Sequence, residues 1–247
     1  MAKHEDLQDK RVVVTGGASG IGLATAQRFV KEGAKVVIFD INEKAFQEVL
    51  NSNPGIVGAV KVDVSVEEDV VKGFEKVDQL IGGIDVLISN AGISVRKPYD
   101  EIEFEQWKRV IDINLNGMFL CSKEAIKRMK KQQSGVILFT ASTNGMNGHP
   151  FYADYNASKA GVILLAKTIA LEYAPYIRAN SICPGYVMTP MQKAEYTEEM
   201  FAVVNEGIPL KRHADPEEVG ALYAFLASSD ASYITGQFIP IDGGETA

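Results

Sequence analysis

The sequence is poor in the residues that build disulfides and metal sites. Its 247 residues include only two cysteines and three histidines. Cys121 and Cys183 form no C-x-x-C pair and lie in apolar sequence, so we expect small buried side chains in a reducing compartment. His4, His149 and His213 are scattered and lack the spacing of metal ligands. No metal site is therefore expected.

The chain also lacks an excess of positive charge and any long apolar run. Its net charge of −7 argues against nucleic acid as a partner, because phosphate binding needs a basic surface. No apolar run reaches the roughly 18 residues that span a bilayer, and "AGVILLA" stops at Lys167. The polar N-terminus "MAKHEDLQDKR" shows no secretory signal. We expect a soluble cytoplasmic protein without a membrane partner.

What the sequence does contain is an alternation of short β-branched runs with helical patterns. Near-continuous apolar runs of this kind are typical of parallel strands that are covered on both faces. The order predicts an α/β fold, a single-domain (residues 1–247) Rossmann-type doubly wound parallel sheet of about seven strands with helices on both faces. The predicted strands are 11–16, 35–40, 59–64, 85–90, 135–142, 177–184 and 237–242.

Three helix ends can be predicted from capping residues. Gly33 follows the helical pattern of residues 20–32, and glycine is common just past a helix C-terminus. Ser65 and Glu68 have the spacing of a capping box, which predicts the start of the helix after the third strand. The sequence "DPEE" from Asp215 combines an N-cap with a proline at the first helical position and predicts a further helix.

Two long loops are predicted to follow the fifth and sixth strands. They cover residues 143–154 and residues 185–209. Open α/β sheets bind ligands at the carboxyl ends of their strands, where both loops should lie. We expect the 185–209 segment to form a substrate-side loop or lid.

The sequence "TGGASGIG" (residues 15–22) indicates a phosphate-binding turn. Glycines allow a tight turn and a close approach of the backbone to a ligand, and a helix that opens here presents free N–H groups to a pyrophosphate. The stretch follows a strand and opens a helix, which is the context that a dinucleotide site requires. The alternative is a strand-to-helix turn without a ligand. The candidate cofactor-binding residues of this turn are Gly16, Ser19, Gly20, Ile21 and Gly22.

Asp40, at the end of the second predicted strand, indicates which coenzyme is bound. Its carboxylate can accept hydrogen bonds from an adenosine ribose and would repel a 2′-phosphate. No lysine or arginine occupies positions 17–19 or 41–42 to bind that phosphate. NAD is therefore expected to be preferred over NADP. The alternative for Asp40 is a capping role at the next helix.

Further motifs occur in a fixed order along nearly the whole chain. Together with the glycine-rich turn, they resemble the classical short-chain dehydrogenase/reductase family. Ser89, before "NAG", departs from the asparagine that is common there in the family. The motifs are "DV" (63–64), "NAG" (90–92), "INLNG" with Asn114, Ser142, "YNASK" (155–159), "PGYVMT" (184–189) and "IDGG" (241–244).

The resemblance implies a set of site residues. The implied catalytic tetrad is Asn114, Ser142, Tyr155 and Lys159. Asp63 and Val64 are implied at the adenine, Asn90 and Gly92 beneath the adenosine, Val187 and Thr189 at the nicotinamide carboxamide, and Tyr155 and Lys159 beside the nicotinamide ribose. We expect the substrate to meet Ser142, Asn144, His149, Tyr155 and Tyr186.

The spacing of Tyr155 and Lys159 suits a proton-transfer role. Hydride transfer from an alcohol leaves one proton for a general base to take, and tyrosine is a poor base at its ordinary pKa of about 10. Lys159 lies one helical turn further on, and we expect its charge to lower the pKa of Tyr155. Taken alone, the two residues would be better interpreted as an amphipathic-helix tyrosine and a solvated lysine.

Ser142 and Asn114 complete the expected chemistry. Ser142 ends a strand, and its hydroxyl can stabilise the developing alkoxide. Asn114 is expected in a helical segment, where it would hold a water that links Lys159 to solvent. The alternatives are a strand-end turn residue for Ser142 and a satisfied buried amide for Asn114.

The sequence leaves three functions to compare. The leading one is an NAD-dependent dehydrogenase that interconverts a secondary alcohol (sugar, polyol or alicyclic alcohol) and its carbonyl. The second is a 3-oxoacyl-[acyl-carrier-protein] reductase, for which "KRMKK" (127–131) could attract an acidic carrier, although Asp40 disfavours NADPH. The third is a catalytically silent nucleotide-binding protein. The resemblance also implies a homotetramer in which helices 116–131 and 155–173 pair across a two-fold axis.

Overall fold

The computed structural model describes residues 4–247, which are organised around one sheet of seven parallel strands. The strands are β1 (Arg11–Thr15), β2 (Lys35–Asp40), β3 (Ile56–Lys61), β4 (Val86–Ser89), β5 (Gly135–Thr140), β6 (Ile177–Pro184) and β7 (Phe238–Ile241). They lie in the order β3-β2-β1-β4-β5-β6-β7, and every neighbouring pair is parallel. This arrangement confirms the predicted doubly wound α/β fold.

Nine α-helices of the described residues connect or follow the strands. They are α1 (Gly20–Lys31), α2 (Phe46–Ser52), α3 (Glu67–Ile81), α4 (Phe104–Ile111), α5 (Gly117–Gln132), α6 (Ala153–Tyr173), α7 (Pro190–Glu195), α8 (Glu198–Gly207) and α9 (Pro216–Ala227). A short π-helical segment, Asp112–Asn116, joins α4 to α5. Among residues 4–247, no helix has the length and apolar character needed to cross a membrane.

The sheet separates two hydrophobic layers because side chains alternate between its faces. Val13 and Phe39 pack with α3, α5 and α6 on one face, and Phe39 meets Phe74 of α3 edge-on at 5.3 Å. Val12 and Ile38 pack with α1, α2 and α9 on the other. Full burial of such a side chain contributes roughly 1.5–3 kcal/mol. The strand sequences are therefore nearly continuous in apolar residues because helices cover both faces of the sheet.

The boundaries of the third strand and of the helix after it differ from those that the sequence predicted. Strand β3 was expected at 59–64 but ends at Lys61. The carboxylate of Asp63 accepts hydrogen bonds from the backbone N–H and the hydroxyl of Ser65, at 3.0 and 2.6 Å, and this turn leads the chain out of the sheet. The predicted capping box of Ser65 is also wrong. The hydroxyl of Ser65 donates to Asp63, and Val66 is the N-cap of α3.

Two other helix ends agree with the prediction. The side chain of Asp215 and that of Glu218 form a reciprocal capping box at the start of α9. Gly33 follows α1 with a left-handed φ of +88°. Strand β5 was expected to reach residue 142 but ends at Thr140, since Ser142 caps a short 3₁₀ turn at Thr143–Gly145.

The segment 185–209 is largely helical and not the loop that the sequence analysis expected. It contains α7 and α8. Thr189 accepts a hydrogen bond from the N–H of Gln192, and Thr197 accepts one from the N–H of Met200. Each threonine therefore caps a helix, which is a signal that the sequence carried.

Candidate active site

A cleft of about 620 Å³ opens at the carboxyl ends of the central strands. It lies where the strand order reverses, between β1 and β4, which is the usual ligand position in open α/β sheets. The predicted site residues that line it are Gly16, Ser19, Gly20, Ile21, Asp40, Asp63, Val64, Asn90, Gly92, Tyr155, Lys159 and Thr189. Residues predicted from motifs that are far apart in sequence are therefore brought to one cleft.

The glycine-rich turn leaves backbone facing the cleft where side chains would block it. A Cβ on Gly22 would lie 2.0 Å from the carbonyl oxygen of Gly16, so Gly22 must lack a side chain for the turn to close. Gly20 has a left-handed φ of +52°. Within the described chain, the N-cap Ser19 makes no side-chain hydrogen bond to α1. The first N–H groups of α1 have no partner within the helix and suit a pyrophosphate.

Asp40 lies on the rim of the cleft and also braces the turn. Its Oδ2 accepts a hydrogen bond from the N–H of Ala18 at 3.0 Å, and its Oδ1 accepts one from the N–H of Asn42 at 2.9 Å. The alternative role of Asp40 as a cap of the next helix is wrong, since Asn42 is the N-cap of the following 3₁₀ turn and Ala45 is the N-cap of α2. The carboxylate stabilises the glycine-rich turn instead. This role does not preclude ligand binding, because a carboxylate has about four acceptor positions.

Two further basic residues line the cleft, and both lie on α4, for which the sequence predicted no site residue. Lys108 and Arg109 of α4 line it together with Glu105 and Asp112. These four residues carry two positive and two negative charges, so the wall is balanced. Ile113 joins them. No motif marks these positions, because only the packing of α4 brings them to the cleft.

Asn90 ties together the strand ends beneath the cleft. Its side-chain N–H groups donate to the carbonyl of Thr15 at 3.1 Å and toward that of Gly16 at 3.4 Å. Its Oδ1 accepts from the hydroxyl of Thr140 at 3.0 Å, and the same hydroxyl meets Tyr223 at 2.6 Å. The phosphate-binding turn and the end of β5 are thus held in one network.

Lys159 is almost completely buried beneath the cleft. Its Nζ donates to the carbonyl oxygen of Thr140 at 2.7 Å and lies 5.4 Å from the ring centroid of Tyr155. Burial lowers the pKa of Lys159 to about 8, because the charged form loses solvation. Thr140 was not predicted as a site residue, since its contribution is a backbone carbonyl.

Tyr155 faces the cleft, but its titration differs from the prediction. Burial raises the pKa of Tyr155 to about 12, and a hydrogen bond with Ser142 opposes part of the rise. The expected lowering by Lys159 is therefore wrong for the chain by itself. Its ammonium is directed to the carbonyl of Thr140, and desolvation of the phenolate dominates.

Ser142 is a strand-end turn residue, which is one of the two roles predicted for it. Its Oγ accepts a hydrogen bond from the N–H of Asn144 at 3.2 Å and caps the following turn. The same hydroxyl lies near enough to Tyr155 to lower the pKa of its phenol. Ser142 is thus a turn residue held against the phenol.

Asn114 lies in the π-helical segment, and its amide is fully used in the fold. Its Oδ1 accepts from the N–H of Ile93 at 2.8 Å, and its Nδ2 donates to the carbonyl of Ile93 at 2.9 Å and to Ser158 at 3.2 Å. A Cβ on Gly92 would lie 3.2 Å from Asn114 Oδ1 and 3.5 Å from Lys159 Nζ. Gly92 therefore keeps open the space between the asparagine and the lysine.

Other predicted residues lie outside the cleft lining. Gly22 lies behind Gly16, and Val187 is buried and bridges to Ala214. Asn144 donates to Asn156 at 2.8 Å. The remaining two predicted substrate residues, His149 and Tyr186, lie near Glu245.

Sequence reasoning missed two residues beside Tyr155. The ring of Tyr152 lies 6.3 Å from that of Tyr155, and its hydroxyl donates to Oε2 of Glu195 at 3.0 Å. Glu195 is one of several charged residues in the 185–209 segment, and nothing in the sequence distinguishes it. It becomes visible only when α7 is placed over the cleft.

Comparison with known proteins gives consistent matches over almost the whole chain. A family model described as Enoyl-(Acyl carrier protein) reductase matches residues 16–246. The chain is 41% identical over 250 residues to 3beta-hydroxysteroid dehydrogenase 1 of Eggerthella lenta, covering 98% of this chain and 96% of that protein. It is 42% identical over 241 residues to meso-2,3-butanediol dehydrogenase of Serratia marcescens, covering 97% and 95%.

Two further matches have the same extent. The chain is 40% identical over 242 residues to a 3-oxoacyl-[acyl-carrier-protein] reductase of Thermotoga maritima, covering 96% of this chain and 98% of that protein. The crystal structure of a short-chain type dehydrogenase/reductase from Mycobacterium marinum superposes with a TM-score of 0.93 at 35% identity, covering 99% and 98%.

Proposed function

Because the chain belongs to the short-chain dehydrogenase/reductase family, we propose that it interconverts a secondary alcohol and its carbonyl with NAD(H) as the preferred coenzyme. Its relatives are dehydrogenases and reductases that act on CH–OH groups. The observation that carries the proposal is the placement of Tyr155 on a cleft with a side-chain-free glycine turn, with Nζ of Lys159 5.4 Å from its ring centroid and Ser142 near its phenol.

The residues of the cleft fit a nicotinamide coenzyme. The glycine turn offers backbone N–H groups to the pyrophosphate, and Asp40 offers acceptors to the adenosine ribose. Asp63 and Val64 would hold the adenine end, and Thr189 the nicotinamide end, since all three line the same cleft. The chemistry that such a coenzyme supplies when bound is hydride acceptance or donation at the substrate carbon.

Tyr155 moves the proton that hydride transfer leaves over. In oxidation its phenolate takes the alcohol proton, and in reduction its hydroxyl gives a proton to the carbonyl oxygen. The hydroxyl of Ser142 stabilises charge on that oxygen. With the pKa of Tyr155 near 12, the phenol is protonated at neutral pH, which is the form that reduction requires.

Asp40 supports the preference for NAD(H), and the charge-balanced wall of α4 does not oppose it. An NADP 2′-phosphate carries nearly two negative charges and would meet the Asp40 carboxylate on the rim. Lys108 and Arg109, the basic residues of the cleft wall, are accompanied there by Glu105 and Asp112. The 185–209 segment, with α7 and α8, would act as a lid over the substrate.

A 3-oxoacyl-[acyl-carrier-protein] reductase is the second candidate, favoured by the Thermotoga maritima relative. The basic segment proposed for a carrier is partly neutralised, because Lys127 pairs with Glu124. A silent nucleotide-binding protein is the third candidate, against which the arrangement of Tyr155, Ser142 and Lys159 speaks.

Initial-rate assays that follow NADH absorbance separate the three candidates. We expect turnover of sugars, polyols or small diols with NAD(H). Faster turnover of acetoacetyl thioesters with NADPH would support the carrier-protein reductase. Coenzyme binding without turnover of any substrate would support the silent protein and overturn the proposal.

A further inference from the structure

Tyr223, on α9, is a fully buried tyrosine that reaches a residue of the cleft from outside it. It belongs to the hydrophobic layer of α1, α2 and α9 and does not line the cleft. Its hydroxyl lies 2.6 Å from Oγ1 of Thr140, which does line the cleft. Burial raises the pKa of Tyr223, so its hydroxyl is neutral and keeps its proton. An apolar layer thus brings one polar atom to the end of β5.

The hydrogen bonds at Thr140 have a fixed direction. Its hydroxyl carries a single proton, which it donates to Oδ1 of Asn90 at 3.0 Å. Asn90 accepts on that atom because its Nδ2 donates to the carbonyl of Thr15 at 3.1 Å. The donor in the remaining contact is therefore Tyr223. The three side chains form one directed chain, and loss of the first hydroxyl leaves a buried oxygen without its donor.

This chain ends inside the glycine-rich turn. Cβ atoms added at Gly16 and Gly22 would lie 3.1 and 2.8 Å from Nδ2 of Asn90, so both glycines leave room for the amide. The amide N–H groups point to the carbonyls of Thr15 and Gly16 at 3.1 and 3.4 Å. The shape of the turn, and hence the direction of its free backbone N–H groups, therefore depends on where this amide is held.

A close contact between two helices sets the position of Tyr223. Gly220 lies one turn earlier on α9, and a Cβ there would lie 3.2 Å from the carbonyl oxygen of Ala24 and 3.3 Å from Cα of Thr25. Because Gly220 has no side chain, α9 packs closely against α1, the helix that begins at the glycine-rich turn. The residue at the start of the chain is therefore carried by a helix that also packs on the helix after the turn.

Thr140 also binds Lys159, but through an atom that does not depend on its hydroxyl. Nζ of Lys159 donates to the carbonyl oxygen of Thr140 at 2.7 Å. The backbone of Thr140 is fixed by the pairing of β5 with β6, where it lies opposite Ile182. The next N–H, that of Ala141, donates to the carbonyl of Ile182 at 2.8 Å. Loss of the side-chain hydrogen bonds should therefore disturb the glycine-rich turn and leave Lys159 in place.

We propose that Tyr223 is a positioning residue for the coenzyme. Its hydroxyl orients that of Thr140 toward Asn90 and so holds the glycine-rich turn in the shape that binds a pyrophosphate. The inference rests on the proposed function for the identity of the ligand, NAD(H). It predicts a loss of coenzyme affinity without a loss of turnover at saturating coenzyme.

Equilibrium binding of NADH, followed by fluorescence, tests this for Tyr223→Phe, which removes one oxygen and keeps the buried ring. We expect the dissociation constant to rise about five- to tenfold, and kcat at saturating coenzyme to stay within about twofold of the parent value. Thr140→Val should weaken NADH binding at least as much, and Thr140→Ser, which keeps the hydroxyl, should restore it. Adding Tyr223→Phe to Thr140→Val should have no further effect, because the chain is already broken.

Thr25→Val is the matched control. Thr25 lies on α1 at its contact with α9, and its hydroxyl is buried without a hydrogen-bond partner among the described residues. Its removal should leave the dissociation constant for NADH unchanged.

Hydrogen exchange of the coenzyme-free proteins separates positioning from a general loss of stability. Exchange at the N–H groups of residues 16–22 should be faster in Tyr223→Phe than in the parent, and exchange in β5 should not change. A uniform increase across the sheet would show that Tyr223 only stabilises the core, and would overturn the inference.

Binding and turnover together distinguish this inference from the proposed function. If the variants weaken NADH binding as expected but no alcohol or carbonyl is turned over, the inference stands and the proposed function fails. If the parent is active and NADH affinity in Tyr223→Phe and Thr140→Val equals that of the parent, the inference fails and the proposed function stands. A parent protein that does not bind NADH overturns both.

Discussion

The Nζ of Lys159 lies 5.4 Å from the ring centroid of Tyr155, one helical turn away on α6. Both groups are disfavoured in their charged forms by burial, so the pKa of the lysine falls to about 8 and that of the tyrosine rises to about 12. The pKa values of the two side chains, 10.5 and 10.0 in the free residues, therefore move apart, so that Lys159 loses its proton at a lower pH than Tyr155.

The pH dependence of the two directions should differ. Reduction needs a protonated Tyr155 and a charged Lys159, so its kcat/KM should be level below about pH 8 and fall above it. Oxidation needs the phenolate, so kcat/KM for oxidation should rise about tenfold per pH unit below pH 8. It should become constant at higher pH as Lys159 loses its proton. Steady-state rates from pH 6 to 10 test this. A reduction rate that keeps rising above pH 9 contradicts it.

Replacing Lys159 with methionine should stabilise the fold while removing activity. The pKa of Lys159 is lowered from 10.5 to about 8, so burying its charge costs roughly 3 kcal/mol, and loss of the bond to Thr140 offsets about 1 kcal/mol. The pKa of Lys159 is lower in the folded protein than in the unfolded chain. The free-energy cost of burying the charge is therefore fully present below pH 8 and vanishes as the pH rises toward 10.5.

Chemical denaturation of Lys159→Met at pH 7 and pH 10.5 measures this effect. We expect a gain of about 2 kcal/mol at the lower pH and a loss of up to about 1 kcal/mol at the higher, where only the missing hydrogen bond to Thr140 counts. Lys44→Met, at an exposed position, is the control and should change neither value. A variant that is less stable than the parent at pH 7 would show that the lysine is not strained by burial.

Asp40 should decide the coenzyme. We expect kcat/KM with NAD(H) to exceed that with NADP(H) by roughly a hundredfold, since about 2.7 kcal/mol of repulsion gives that ratio. The double variant Asp40→Ser, Ile41→Arg should narrow or reverse it. Asp40→Asn, which retains most of the geometry at Ala18 and Asn42, controls for the bracing of the turn. A parent enzyme that prefers NADP(H) contradicts the assignment. Lys108 and Arg109 would then be the candidates for binding the 2′-phosphate.

The chain should assemble into a homotetramer. Large apolar side chains stand exposed on the outer faces of α5 and α6, and Leu171 is 85% and Leu164 63% exposed. An exposed apolar face of this kind is typical of an interface. Sedimentation at micromolar concentration should show four chains together, and Leu164→Glu with Leu171→Glu should dissociate the α6 contact. A single monomeric species of the parent protein refutes the proposal.

The sequence was sufficient for those parts of the site whose signal is local. Glycines at fixed spacing after a strand predict a phosphate turn, and a tyrosine and lysine four apart predict one helix face, because both depend only on backbone periodicity. The helices α7 and α8 could also be predicted from the sequence, since Thr189 and Thr197 are ordinary N-caps.

The remaining features depend on the packing of distant segments and could not be predicted. Tyr152 and Glu195 are 43 residues apart, and the hydrogen bond that joins them exists only when α7 covers the cleft. The predicted direction of the Tyr155 pKa shift was wrong. Burial of the phenol outweighs the neighbouring charge, and the motif alone does not show how deeply the phenol is buried. Asp63 ended a strand through a turn with Ser65 that competed with the predicted helix cap.

Substitution of Tyr155 by phenylalanine tests the central claim most directly, since it removes one oxygen and keeps the ring. General acid–base groups contribute about 10²- to 10⁴-fold to rate, so kcat should fall by at least about a hundredfold in both directions. The dissociation constant for NADH, measured by fluorescence, should stay within about threefold because the glycine turn and Asp40 are untouched. A Tyr155→Phe variant that binds NADH and retains near-parental kcat would show that another group transfers the proton.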